Sequence, residues 1–275
     1  MKKRILLSFM LICIGLCTFG IINASAEKYG EYLEYTVSTN DEVTITDCDS
    51  SAVTIEIPSI IDGKPVTGIG GYAFAGCNSL TSIAIPDSVT YIGERAFNNC
   101  YSLTSIAIPN SVTYINDSAF SYCNSLISIT IPEGVTYIGY NAFEDCSSLT
   151  SIVIPDSVTS IGADTFSGCN SLINITIPNG VLSILSGTFS GCSGLTNITI
   201  PNSVTIIDKY AFSYCRSLTS IAIPDSVTSI GDNAFGYCNS LTTIAHISLL
   251  SIAIAAVITK KDVSYRSVKT LKRLA

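Results

Sequence analysis

The sequence predicts a β-rich solenoid, a chain wound into stacked coils of short parallel strands. Three observations predict it. A 23-residue pattern recurs without a gap through seven units: Leu80–Ser102, Leu103–Ser125, Leu126–Ser148, Leu149–Ser171, Leu172–Gly194, Leu195–Ser217 and Leu218–Ser240. Within each unit the apolar residues alternate over a few positions and then meet a Pro, which has no N–H for a ladder, so each run has the length of a short strand. The 275 residues are 47% hydrophobic and 13% charged, a balance that demands a large core and excludes a disordered chain. No single unit can bury its own apolar residues, but stacked units bury one another's.

The first unit shows how the pattern works. Leu80, Ile83 and Ile85 begin a strand that Pro86 ends. Val89 and Ile92 form a second short apolar pair, with Gly93 as a turn residue. Ala96-Phe97 reads as one helical or 3₁₀ turn, and Cys100 closes the coil before the next Leu. The structural core ladder is therefore expected at Phe97, Phe120, Phe143 and Phe166, with Cys100, Cys123, Cys146 and Cys169 beside them. Phe74 and Cys77 belong to an earlier unit with a longer loop.

The flanks divide the chain further. Residues 1–26 read as a signal peptide: Lys2, Lys3 and Arg4, an apolar run from Leu6 to Ile22, and a small-residue cleavage site at Ala24-Ser25-Ala26. An uncleaved anchor is the alternative, and Leu16 before Cys17 argues against a lipoprotein site. Residues 27–51 read as an N-terminal cap hairpin, with strands at Leu33–Val37 and Val43–Thr46 around a turn at Thr39-Asn40-Asp41. Open stacks need such caps, because a bare sheet edge recruits other chains. Residues 52–245 form the solenoid. Residues 246–275 leave three readings: a degenerate cap, a membrane anchor over Leu241–Ile258 with a basic inner tail, or a disrupted frame in a longer array.

The repeat line L-x-x-I-x-I-P-x-x-V-x-x-I-G-x-x-A-F-x-x-C resembles the BspA-like class of leucine-rich repeats of bacterial surface proteins. The resemblance covers Val53 to Ala245, and the stretch from Ile57-Pro58 to Ile69 is similar to that family's entry unit. It implies a right-handed leucine-rich repeat coil. It also implies a secreted or cell-surface location, probing host, matrix or other-cell proteins as partners. It offers no catalytic residues.

Chemical motifs are sparse. A Cys nucleophile needs a base, and the one His, His246, stands in the broken last unit. The repeat Cys residues are 23 apart and each precedes an apolar Leu by three, the placement of small buried hydrophobes rather than of zinc ligands. Stacked coils bring equivalent Cys residues to about 4.8 Å, but with nearly parallel Cβ vectors that suit a disulfide poorly, so free buried thiols are expected. Asp47-Cys48-Asp49 and Glu144-Asp145 are the densest acidic spots and read as solvated loops. Asp87, Asp156 and Asp225 recur after the Pro, which marks a turn and not a glycosidase pair. No phosphate-binding G-x-x-x-x-G-K-[ST] occurs. The expectation is a non-enzyme without cofactor or metal.

What remains is a surface. Thr81, Ser82 and Ala84 face outward on the first strand, as do their equivalents. Tyr91, Tyr114 and Tyr137 form a column that later units replace with Ser160, Ser183, Ile206 and Ser229, and they are the expected ligand-binding residues. Tyr101, Tyr122, Tyr214 and Tyr237 dot the segment around the Cys. Residues 27–259 carry five cations against 20 acids, near −15, so a nucleic-acid partner is not expected. A basic or neutral protein ligand on the solenoid face is, with a wall-associated structural rod as the alternative.

Overall fold

The computed structural model describes residues 26–247. The expected leader up to residue 25 and the expected tail from residue 248 lie outside the described residues. Within them the chain is a β-solenoid with two ladders of short parallel strands and no helix.

The N-terminal piece is an antiparallel sheet of β1 (Glu27–Tyr29), β2 (Leu33–Val37) and β3 (Val43–Cys48). The expected hairpin is β2–β3, with Asp41 in the left-handed conformation at its turn (φ 59°). The sequence reading missed β1, whose three residues are exposed and lack the alternation that marks a half-buried strand. β4 (Thr54–Glu56) starts the first ladder. β5 (Ile60–Ile61) and β6 (Lys64–Ile69) form a tight hairpin whose turn, Asp62-Gly63, has positive φ at both residues. β3 runs parallel to β6, which joins the cap to the second ladder.

From there each coil contributes one strand to each ladder. The first ladder holds Ser82–Ala84, Ser105–Ala107, Ser128–Thr130, Ser151–Val153, Asn174–Thr176 and Asn197–Thr199. Ser220–Pro224 and Thr243–Ile247 continue it as a separate pair in parallel register. Leu241 to Ile247 belong to the span considered as an anchor, and here Leu241 is buried while Thr243–Ile247 runs as strand. The second ladder holds two-residue strands such as Tyr91–Ile92, Tyr114–Ile115 and Tyr137–Ile138.

One apolar column runs through the stack. Leu80, Val89, Ile92, Ala96, Phe97 and Cys100 are all fully buried, as are their counterparts in the following coils through Phe143. The Phe rings from Phe74 to Phe235 stack face to face, with centroids 5.0–5.7 Å apart and planes within 11°. A 23-residue period places each ring over the previous one, so one residue type repeats as a continuous pile.

The segment around each Phe is not the helical turn that Ala96-Phe97 suggests. Alternate amides bond within the coil: Ala96 N–H donates to Gly93 O, Asn98 to Arg95 and Cys100 to Phe97, at 3.1–3.3 Å. The amides between them cross to the next coil: Arg95 donates to Asp117 O, Phe97 to Ala119 and Asn99 to Ser121, at 2.8–2.9 Å. Left-handed residues at Arg95 (φ 54°) and Asn99 (φ 62°) break any helix. The result is a ribbon of successive turns that satisfies its backbone as a parallel strand does, half locally and half across the stack.

Candidate recognition surface

The expected core residues lie inside. Phe97, Phe120, Phe143, Phe166, Cys100, Cys123, Cys146 and Cys169 are completely buried. Each of these four thiols donates to the carbonyl of the preceding coil's Phe, at 3.0–3.2 Å, from Cys100 onto Phe74 to Cys169 onto Phe143. Burial pushes Cys146 and Cys192 up to about 12 and holds Cys123 and Cys169 well above the usual thiol range. A thiol held protonated and facing a carbonyl has neither the nucleophilicity nor the charge for chemistry.

Three kinds of outward surface remain. The first-ladder strands present Ser, Thr, Ala and Asn, and their threonines tie one coil to the last. Thr104, Thr150 and Thr242 hydroxyls donate to the carbonyls of Thr81, Ile127 and Thr219, each at 3.2 Å. Small polar residues dominate this face, interrupted by exposed Ile127, Val153 and Ile173.

The second ladder carries the expected tyrosine column, and its members differ. Tyr114 is the most open, 52% exposed. Tyr91 is 40% exposed, but its ring occupies the space a side chain at Gly68 would fill, and its hydroxyl lies 2.8 Å from Thr44 Oγ1 on the cap. Tyr137 is half-buried, with its hydroxyl 3.4 Å from Asp117 Oδ1. Burial, followed by the Asp117 charge, raises the Tyr137 phenol above its ordinary range. The structure thus gives Tyr91 a packing role against the cap, a role the column pattern does not reveal.

The turn ribbon is the third surface and the most varied. Each coil holds two left-handed residues four apart that flank the inward Ala-Phe or Thr-Phe pair. One column runs Tyr72, Arg95, Ser118, Asn141, Asp164, Gly187, Tyr210 and Asn233. The other runs Gly76, Asn99, Tyr122, Asp145, Gly168, Gly191, Tyr214 and Tyr237. Gly, Asn and Asp are the residues that tolerate this conformation, and their recurrence just before the Cys was the available signal. Tyr is not such a residue, yet five occupy these columns. At the N-terminal end, Arg95 lies over the Tyr72 ring, 5.5 Å from its centroid, and donates to the Tyr72 hydroxyl. In the middle the ribbon is acidic, and burial raises the Glu144 and Asp164 carboxyls.

The acidic loop Asp47-Cys48-Asp49 lines a recess on the cap with Lys28, Glu31 and Glu34. The Ser51 amide donates to Asp49 Oδ1 at 2.8 Å and lowers that carboxyl. Among the described residues no group of three or more His, Cys, Asp or Glu is placed to hold a metal ion.

Known proteins share this architecture. Residues 48–173 and 159–253 match the family model of the BspA type leucine rich repeat region, in six copies. A leucine-rich repeat protein of T. pallidum is 30% identical, with a TM-score of 0.62, over 78% of this chain and 90% of that one. A leucine-rich repeat protein of Bacteroides ovatus is also 30% identical, with a TM-score of 0.55, over 81% and 72%. A comparison with curated proteins finds no match. The buried 23-residue frame, its stacked Phe column and the family match over most of the described residues place this chain in the BspA-type leucine-rich repeat family.

Proposed function

We propose that this chain is a secreted or cell-surface recognition module of a bacterium, non-enzymatic, which binds a protein partner along the outside of its solenoid. The observation that carries this reading is the division between inward and outward positions. Inward positions repeat the same residue types from coil to coil, while the ribbon columns change from Tyr or Arg to Asn, Asp, Ser or Gly. A frame that fixes the backbone and leaves exposed columns free to differ is a display scaffold. The leader-like first 26 residues support export.

The regular threonine ties between coils along the first ladder favour a second reading, a structural rod with no specific ligand. The two separate in one experiment. The immobilised chain is exposed to a panel of purified extracellular proteins. A recognition module gives saturable binding to a member of the panel, competed by soluble chain. A rod gives only weak, non-saturating signals across the whole panel.

A further inference from the structure

The C-terminal end of the turn ribbon holds a cluster that the core does not need. Tyr214 and Tyr237 occupy the same position in successive coils and stack with centroids 4.5 Å apart and planes 8° from parallel. Both remain open to solvent, Tyr214 at 41% and Tyr237 at 63%. Arg216 lies over the Tyr214 ring, 5.9 Å from the centroid. Both tyrosines sit in the left-handed conformation, at φ 61° and 59°. In the two coils before them the same position is Gly168 and Gly191, which adopt it without strain. A bulky residue there costs conformational energy, and such strain concentrates where function requires a particular side chain.

The charge of the cluster is also exceptional. Between residues 96 and 259 the only cations are Lys209 and Arg216, and both flank this ribbon segment in a body that is otherwise strongly acidic. Among the described residues no carboxylate lies within ion-pair distance of Arg216, and its guanidinium rests over the Tyr214 ring. A guanidinium spread over a ring keeps its fork of donors available, and that fork matches a carboxylate. Two parallel exposed rings offer a flat apolar step for a third ring. Tyr and Arg are also the residue types that most often anchor protein interfaces.

We propose that Tyr214, Tyr237 and Arg216 form a docking site for a short segment of a partner protein that carries an aromatic residue next to a carboxylate. The inference rests on the recognition reading above and names its site. The partner's ring extends the Tyr214–Tyr237 stack, and its carboxylate pairs with Arg216. The segment carries one or two acids and no more, because the net charge near −15 over residues 27–259 repels a polyanion.

The test uses the full chain and a fluorescent peptide containing Gly-Glu-Trp-Glu-Gly, read by anisotropy. Controls replace its Glu by Gln or its Trp by Ala. Three variants are compared: Tyr214→Gly with Tyr237→Gly, Arg216→Ser, and, on the first-ladder face, Thr104→Ser. Gly168, Gly191 and Ser193 already hold the corresponding places, so the first two variants keep the fold. The expected result is that the chain binds the peptide, and each peptide control and each of the first two variants weakens binding at least tenfold. Thr104→Ser leaves it unchanged. The urea midpoint of the double Tyr variant stays level or rises. No binding, or binding indifferent to these substitutions, overturns this site, and the protein panel then decides separately whether the recognition reading stands. Binding of a neutral oligosaccharide that the Tyr variant abolishes and Arg216→Ser spares overturns the peptide assignment in favour of a glycan.

Discussion

At the scale of single residues, the same side chain takes different roles according to its place in the frame. Phe143 is fully buried between two parallel rings, so Phe143→Ala removes a member of a continuous pile and leaves a cavity. Urea melts should show a loss of about 3–5 kcal/mol, and a loss under about 1 kcal/mol would mean that the coils close over the gap. Tyr91 and Tyr114 look equivalent in sequence, but only Tyr91 rests over Gly68 and reaches Thr44. Tyr91→Ser should therefore cost about 1–2 kcal/mol, from one hydrogen bond and some apolar contact, while Tyr114→Ser should leave the urea midpoint in place. The Phe and Cys columns were legible because a 23-residue period forces inward positions to repeat. The cap contact of Tyr91 was not legible, because it joins residues 47 positions apart across the cap, outside the period.

At the scale of the coil, strand positions followed from alternation and the Pro stop, whereas the ribbon was misread as helical. A bond from one residue to the third before it is common to 3₁₀ turns and to β-turns. What separates them here is the left-handed residue in every turn that brackets the Phe, and Tyr or Arg in those places hides that conformation from a sequence reading. The coil also sets the chemistry of its thiols. Cys146 and Cys192 titrate near 12 when folded, against about 9 in the open chain. The folded state thus keeps protons that the unfolded state releases above pH 9, so stability falls as pH rises between about 9 and 12. Urea midpoints at pH 8 and pH 11 should differ, with the alkaline one lower, and Cys146→Ala with Cys192→Ala should reduce that difference. A midpoint drop that the double variant leaves untouched would assign the alkaline loss to other groups.

At the scale of the molecule, the solenoid separates what holds it together from what it shows. Seven units at about 4.8 Å each present roughly 35 Å of ribbon and ladder, enough for a partner to span several coils. On the proposed reading, affinity on such a surface concentrates in a few aromatic anchors, with the exposed tyrosines proposed for that role. For the proposed protein partner, an acidic body would speed the approach of positive charge around the contact segment, so association should slow as salt is added. On the proposed reading, folding and recognition reside on different residues of the same frame. A triple variant, Tyr114→Ser with Tyr214→Gly and Tyr237→Gly, separates the two roles when its urea midpoint and its affinity for a partner found in the protein panel are measured together. The expected result is an unchanged or higher midpoint with affinity at least tenfold weaker. Full affinity in a correctly folded triple variant would contradict it.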